Sequence, residues 1–307
     1  MCTITGIIAT IITIAAKLDA RPVSRMKAIC ASLVGMVLAA IPAWGADPVA
    51  TPVPLDKVPA VVWKTLQSST AGITPTKVER LEDDGEVSYG ATFNSPNGGE
   101  RSVLVAADGK LISLEVMLAD VPAAVKTTIA RQLGAGHLSG INKQSDADEI
   151  CYDVDFANAA GAARSFSVGA DGTLLSLQLS LAEAPEEVQK AVKNRIAGGG
   201  SLIRIDQVFD AGAVSFDVDY QKKQGKEISC TLAPDGKLAS VDVPIDEAAV
   251  PVQATIRNKI GTGSMVRLSK VFGPKHNLLR YEVEAVVDGK AFDFSVAPKG
   301  KFLGMDS

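Results

Sequence analysis

The fold is decided by residues 120–181, which read DVPAAVKTTIARQLGAGHLSGINKQSDADEICYDVDFANAAGAARSFSVGADGTLLSLQLSL. Apolar residues at Val121, Val125 and Ile129 fall four apart, which places them along one side of a helix. Residues 152–156 then alternate apolar and acidic, the period of a half-buried antiparallel strand. The dipeptide Asp171-Gly172 is typical of a tight hairpin, in which glycine supplies the positive φ that the turn needs. The stretch therefore predicts one helix followed by antiparallel strands.

The same plan occurs four times along the chain. The hairpin dipeptide recurs at steps of 63, 64 and 64 residues, and an aromatic strand residue keeps nearly the same period, as Tyr89, Tyr152, Phe216 and Tyr281. A constant period of this kind indicates internal duplication. The predicted copies are residues 57–118, 120–181, 184–245 and 248–307.

We therefore predict an α+β protein built of tandem repeats, each with one helix packed on a three- to four-stranded antiparallel sheet. The aromatic strand residues are expected on the side of the sheet that faces the helix. A unit of about 60 residues is marginally stable by itself. The four copies are therefore expected to share buried surface, either as two pairs or as a stacked array.

Residues 1–45 are predicted to be a leader that contains a signal peptide at 26–45. Its basic end is Arg25 and Lys27, and its apolar core is too short to span a bilayer comfortably. Ala43 and Gly45 are the small residues of a cleavage site. An uncleaved membrane anchor is the alternative. We expect a periplasmic or secreted protein.

Two further expectations concern the N-terminal region. Translation is hypothesised to start at Met26, because the sequence from there is complete as a signal. Residues 46–56 are Pro-rich and are predicted to form an extended linker.

The charge balance argues against two classes of partner. The whole chain carries −4, and residues 1–45 contribute +3, so residues 46–307 carry −7. A segment that acidic is a poor partner for nucleic acid or for an anionic membrane surface. We expect no nucleic acid partner, and no membrane association after signal cleavage.

Residues that could carry catalysis are scarce. The two histidines, His137 and His276, are expected as exposed loop residues. Zinc-ligand spacings and a nucleophile elbow are absent from the sequence. The glycines of 134–140 follow a predicted helix, so they are interpreted as a helix C-cap and not as a phosphate loop. The prediction is a protein that is not an enzyme, with no cofactor and no metal.

Two cysteines follow the leader. Cys230 occupies a core-facing position of the third copy, and Cys151 occupies a position on the polar side of the second. Export makes a disulfide between them chemically possible, but two such placements suit one poorly. Cys230 is interpreted as a small core residue.

The most suggestive feature is the acidic side of three predicted strands. Its residues are the candidate binding residues Asp153, Asp155, Asp217, Asp219, Glu282 and Glu284. Carboxylates two apart on a strand project side by side and could share a cation such as Ca²⁺. The favoured interpretation is a solvated outer face that resists edge-to-edge association, because a flat strand offers few converging oxygens. The cluster Asp146, Asp148 and Glu149 is likewise expected to be a solvated turn.

A family resemblance rests on three of these stretches. They are Val-Pro-Ala-Ala-Val at 121–125, Tyr152-Asp153-Val154, and the run from Phe166 to Gly172. Together they resemble the PepSY superfamily, and most closely its β-lactamase-inhibitor-like branch. The resemblance covers all four copies and implies a helix laid on an antiparallel sheet, export, and the binding or restraint of secreted enzymes. It implies no catalytic residue.

One departure from that family affects the expected partner. The β-lactamase inhibitor proteins bind their enzyme with a sheet surface rich in aromatics, whereas here the strand aromatics are assigned to the core side. Protein interfaces usually centre on Tyr, Trp or Arg. The departure argues against β-lactamase inhibition, and it implies a partner that is basic or is contacted through polar groups.

The expected function is that of an exported, non-enzymatic protein that binds or restrains another envelope or secreted protein, such as a protease. The alternative is a cation- or small-ligand-binding sensor that uses the acidic faces. A purely structural spacer is a third hypothesis.

Overall fold

The computed structural model describes residues 49–83, 86–96, 99–146, 149–223, 225–287 and 290–305. The predicted leader, its signal peptide and the Met26 start lie outside the described residues.

The described chain forms two compact units that divide after Leu177, close to the predicted boundary between the second and third copies. The elements of the first unit are β1 (Val49–Pro52), α1 (Ala60–Ser69), β2 (Lys77–Asp83), β3 (Glu86–Asn94), β4 (Glu100–Ala106), β5 (Leu111–Glu115), α2 (Ala123–Leu133), β6 (His137–Asp146), β7 (Glu149–Ala157), β8 (Ala163–Gly169) and β9 (Leu174–Gln178). Short 3-10 turns, Leu55–Lys57 and Leu118–Asp120, precede the two helices.

The second unit has the same order of elements after its first turn. They are α3 (Glu186–Ile196), β10 (Ser201–Asp210), β11 (Ala213–Gln221), β12 (Glu227–Leu232), β13 (Leu238–Asp242), α4 (Val250–Ile260), β14 (Ser264–Phe272), β15 (Leu278–Val287), β16 (Lys290–Val296) and β17 (Phe302–Met305). Its 3-10 turns are Leu181–Glu183 and Ile245–Glu247.

The predicted fold class is wrong. In the part of the chain that the structure describes, the strands belong to one 17-stranded antiparallel sheet with four helices of only 10 or 11 residues. They do not form four tandem units that each have a three- to four-stranded sheet. In the first unit β5 pairs with β6, with Ser113 opposite Gln144. In the second β13 pairs with β14, with Ser240 opposite Val271. These pairings satisfy backbone groups that a separate sheet would leave open at its edge.

The predicted linker 46–56 also differs from the structure. Residues Val49–Pro52 form β1, which pairs with β2 and places Val49 opposite Glu82. The segment is extended, as expected, but it is hydrogen-bonded into the sheet. Pro52 is the last residue of the strand.

Each helix packs on the sheet through buried apolar residues, which in α2 are those of the predicted stripe. In α2 the stripe residues Val125 and Ile129 are fully buried and share one core cluster with Tyr152. The predicted core placement of the strand aromatics is confirmed at all four positions, Tyr89, Tyr152, Phe216 and Tyr281.

A recurrent contact joins each helix to a hairpin. Gly172 has φ +87° in the β8–β9 turn, and an added Cβ there would lie 2.8 Å from the backbone oxygen of Ala124 in α2. The Thr128 hydroxyl donates a hydrogen bond of 2.6 Å to the Gly172 carbonyl. Equivalent threonine hydroxyls of α1 and α4 donate to the carbonyls of Gly109 and Gly300. The predicted positive φ of these hairpin glycines is thereby confirmed, and helix contact adds a second reason for glycine.

We predict that Gly172→Ala destabilises the first unit more than Gly161→Ala. Both glycines have positive φ, but a Cβ on Gly161 (φ +78°) meets open space. Gly161→Ala is expected to cost about 1 kcal/mol from backbone strain. Gly172→Ala is expected to add about 1–3 kcal/mol, because its Cβ overlaps the helix backbone. Urea unfolding measures both, and equal losses would contradict a tight helix–hairpin contact.

Candidate functional site

The second unit presents a polar face on the side of the sheet opposite α3 and α4. On β11 the residues Phe216, Val218 and Tyr220 enter the core beneath α3, so Asp217 and Asp219 between them lie on the other side.

Hydroxyl groups on the next strand engage both aspartates. Asp217 is in register with Thr231, and its Oδ1 accepts a hydrogen bond of 2.8 Å from the Thr231 hydroxyl. Asp219 is in register with Ser229, whose hydroxyl donates to its Oδ1 at 2.6 Å.

Arginines engage the two predicted glutamates. Glu282 Oε1 accepts hydrogen bonds from Arg280 Nε at 3.0 Å and Nη2 at 2.7 Å. Glu284 Oε1 accepts from Arg267 Nε at 3.1 Å and also from its Nη2. Charge-assisted bonds of this kind hold both partners in a defined orientation.

Sequence reasoning missed several residues of this face. Asp206 on β10 lies opposite Asp217 and forms an ion pair with Arg204, whose Nη2 donates to its Oδ1 at 3.0 Å. Asp242 on β13 accepts from the Ser269 hydroxyl at 2.5 Å. We call the set the polar strip, and it comprises Arg204, Asp206, Asp217, Asp219, Asp242, Arg267, Arg280, Glu282 and Glu284.

A signal for part of this set was present in the sequence. Ala211 and Gly212 form the two-residue turn between β10 and β11, with φ of +47° and +83°. A two-residue turn fixes the register of a hairpin, and this one places Asp206 opposite Asp217. The dipeptide is not one of the strong hairpin signals, so the register was not predicted.

Burial changes the acidity of two members of the polar strip. Burial raises the pKa of the Asp206 carboxyl, the charges of Asp217 and Asp219 act in the same direction, and Arg204 opposes them. Burial likewise raises the pKa of the Asp242 carboxyl, although the hydrogen bond from Ser269 acts to lower it. Both groups therefore hold their protons more tightly in the folded state.

The other two predicted residues lie in the first unit. Asp153 is only 6% exposed, and its carboxylate accepts hydrogen bonds from Ser167 Oγ at 2.5 Å and Gln144 Nε2 at 3.0 Å. A solvated outer face is therefore wrong for Asp153. Asp155 is half-buried and lies opposite Ser165.

The polar side chains of these faces form hydrogen bonds with one another. Among the residues that the structure describes, no group of three or more His, Cys, Asp or Glu side chains could hold a metal ion. A Ca²⁺ site needs six or more converging oxygens. The carboxylate oxygens detailed above instead accept hydrogen bonds from hydroxyl, amide and guanidinium donors.

The two histidines and Gly134, the candidates for catalysis or phosphate binding, lie in a turn or at the end of a helix or strand. His276 lies in an exposed turn and stacks on Phe272 with ring centroids 5.2 Å apart. His137 is exposed, as predicted, but it is the first residue of β6 and not part of a loop. Gly134 is the C-cap of α2, with its N–H bonded to the Ala130 carbonyl, which confirms the C-cap interpretation.

Two acidic residues of the predicted solvated turn, Asp146 and Glu149, pair in register at the end of the β6–β7 hairpin. The third, Asp148, lies outside the described residues.

Both cysteines that follow the leader are buried and are not joined in a disulfide. Cys230 belongs to the core beneath α3, which confirms its predicted role, and burial raises its pKa to about 11. Cys151 lies opposite Gln144 on the polar side of β7, as predicted, but is only 3% exposed.

Within the described ranges, no helix is long and apolar enough to cross a membrane. The chain matches no family model and no curated protein.

Comparison with solved structures finds proteins from Bacteroides that are assigned, provisionally, to the periplasm. One from Bacteroides vulgatus, of the DUF2874 family, has a TM-score of 0.29 and 16% identity, over 43% of this chain and 98% of that one. One from Bacteroides thetaiotaomicron, described provisionally as calcium-regulated, has a TM-score of 0.29 and 14% identity. The match covers 42% of this chain and 95% of that one. One from Bacteroides eggerthii has a TM-score of 0.30 and 19% identity. The match covers 40% of this chain and 87% of that one.

The compartment is given for those proteins alone, and the periplasmic or secreted localisation of this chain stays a prediction. TM-scores near 0.3 are below the level at which a shared fold is inferred, so the function proposed below rests on this chain's own residues. The resemblance to the PepSY superfamily stays a prediction.

We predict that Asp206→Asn changes how stability depends on pH. A carboxyl whose pKa is raised on folding stabilises the protein below its ordinary value of 3.8, and that stabilisation is lost as pH rises through the folded-state value. Relative to the native protein, Asp206→Asn should therefore gain stability as pH rises from about 3.8 toward neutrality. Thermal unfolding across this range measures the difference.

The matched control is Asp210→Asn, an exposed carboxylate on the same strand. If the stability of both variants depends on pH as that of the native protein does, the prediction is wrong and the buried Asp206 carboxyl does not contribute to the pH dependence of stability.

We also predict that the native thiols resist modification. Raising the Cys230 pKa to about 11 lowers its thiolate fraction near pH 8 by about two orders of magnitude. Ellman's reagent should therefore modify Cys230 of a Cys151→Ser variant at least that much more slowly in the native than in the denatured state. Without reductant, the denatured processed protein should release two equivalents of thiolate. No release would reveal a disulfide.

Proposed function

We propose that this is an exported, non-enzymatic binding protein that binds or restrains another envelope or secreted protein, such as a protease. The observation that carries the proposal is the polar strip. Its ion pairs and Asp–hydroxyl bonds hold side chains in place on paired strands before any partner arrives. A preordered surface loses little side-chain entropy on binding, which favours affinity.

The charge of the polar strip narrows the class of partner. It holds six carboxylates and three guanidinium groups, so negative charge is in excess when all are ionised. Complementary charge steers association and disfavours wrong partners. The partner proposed here is therefore basic on the surface that it presents, and it accepts polar contacts in place of aromatic anchors.

The non-enzymatic part of the proposal is supported by the environment of the candidate catalytic groups. Both histidines are exposed on separate elements, and both cysteines that follow the leader are buried. Buried structural thiols are inert, because the reactive form is an accessible thiolate.

The competing proposal is a cation- or small-ligand-binding sensor that uses the acidic faces. The hydrogen bonds already made by Asp153, Asp217 and Asp219 do not favour it. It requires a Ca²⁺-dependent rise in melting temperature that disappears in Asp217→Asn/Asp219→Asn. An unchanged melting temperature at millimolar Ca²⁺ would remove it.

The test is affinity capture with immobilised processed protein, residues 46–307, from an envelope and secreted extract of the source organism. We expect one hydrolase to be retained stoichiometrically and its activity to fall when the protein is added. Asp217→Asn/Asp219→Asn should weaken retention about tenfold or more, corresponding to roughly 1.4 kcal/mol. The matched control is Asp210→Asn/Asp246→Asn, which removes the same charge from exposed positions outside the polar strip.

Retention of no protein would contradict the proposal, and two other results would overturn it. One is cleavage or modification of a substrate by the purified protein alone. The other is equal retention of the partner by the polar-strip variant and by the native protein.

A further inference from the structure

A cleft of about 360 Å³ lies within the first unit, where the start of β4, the end of β5 and the start of β6 meet. Its apolar lining includes Met117, Leu118, Leu138 and Ile141. A volume of this size falls in the range of small-ligand pockets, which are mostly apolar with a few placed polar groups.

Two apolar side chains at the cleft are exposed, and one of them, Leu118, differs in this from its two counterparts in the second unit. Met117 is 37% exposed and Leu118 is 42% exposed. Leu118 begins its 3-10 turn, as do Leu181 and Ile245 in the second unit. Leu181 and Ile245 pack against the cores beneath α3 and α4. The side chain of Leu118 is therefore available to a partner.

The polar groups of the cleft carry an excess of negative charge. Arg101 Nη1 lies 3.6 Å from Asp120 Oδ2, so the guanidinium already faces a carboxylate. Glu115 Oε2 accepts hydrogen bonds from the Ser102 N–H at 3.1 Å and hydroxyl at 3.2 Å, both neutral donors. Glu100 is exposed and forms no ion pair with any residue that the structure describes. Two glutamates thus remain without a cation beside apolar side chains.

We propose that this cleft binds a segment of the partner protein in which a lysine or arginine stands next to an apolar side chain. The apolar side chain rests on Met117 and Leu118, and the cation lies between Glu100 and Glu115. Methionine adapts its shape to different apolar groups, which suits a recognition surface. The inference rests on the proposed function. It adds a second contact region to the polar strip and specifies the kind of partner segment that binds there.

The direct test is titration of the isotope-labelled processed protein with N-acetyl-leucyl-lysine amide, followed by the backbone amide signals of the cleft. The controls are N-acetyl-leucyl-glutamate amide, with opposite charge, and N-acetyl-glycyl-lysine amide, without the apolar group. We expect shifts confined to residues around Leu118 and Gly140, and an affinity at least threefold weaker for each control, about 0.65 kcal/mol. Equal affinity for the glutamate probe, or no shift with any probe, overturns the assignment.

Variants of single residues separate the two parts of the site. Leu118→Ser should weaken binding of the leucyl-lysine probe at least fivefold. Its matched control is Leu55→Ser, since Leu55 is 39% exposed and begins the equivalent turn before α1, outside the cleft. Glu100→Gln should reduce the preference for lysine over glutamate without changing the amide spectrum elsewhere. An unchanged preference, or equal losses from the two leucine variants, overturns the proposal.

Affinity capture keeps the failure of this inference distinct from failure of the proposed function. If native protein and Leu118→Ser retain the same partner equally, the cleft assignment is wrong and the binding function stands. If the probe binds in the cleft but the extract yields no protein partner, the proposed function fails and the assignment of a protein segment fails with it, while the preference of the cleft for a cation beside an apolar group stands.

Discussion

The structure depends on the pairing of strands across each short helix. The chain leaves the sheet at the end of β5, forms one 3-10 turn and α2, and returns as β6 beside the strand that it left. The same happens between β13 and β14 around α4. Main-chain groups at a strand edge must bond to something, and an open edge invites association with other chains. Pairing inside the chain removes that hazard and makes one sheet from what would otherwise be several.

This constraint separates what the sequence predicted from what it did not. Apolar spacing gives the faces of helices and strands, so the burial of Val125, Ile129 and Tyr152 was predictable. Asp-Gly dipeptides give the positions of hairpins, and Gly172 has the expected positive φ. Neither signal says which strand lies beside which. The division into separate sheets was therefore wrong, although the helix faces and aromatic positions were right.

The polar strip shows the same limit at the scale of single residues. Alternation placed Asp217 and Asp219 on the face away from the helices, and that placement is correct. Their environment is set by register, which brings Thr231, Ser229 and Asp206 beside them. A carboxylate that accepts a serine or threonine hydroxyl differs chemically from a solvated one, because the hydrogen bond fixes its orientation. Prediction of this site thus required the turn geometry at residues 211 and 212 as well as the alternation.

The order of strand pairing also bears on how the chain folds. Within each unit, the assigned pairings join strands that follow one another in sequence. Contacts between segments close in sequence carry a small loop-closure cost, and topologies rich in them fold faster than sheets built from distant strands. A chain that leaves a translocation channel from its N-terminal end would have each new strand meet a partner that is already in place. Such a chain would expose unpaired strand edges only briefly, which limits its association with other unfolded chains in the same compartment.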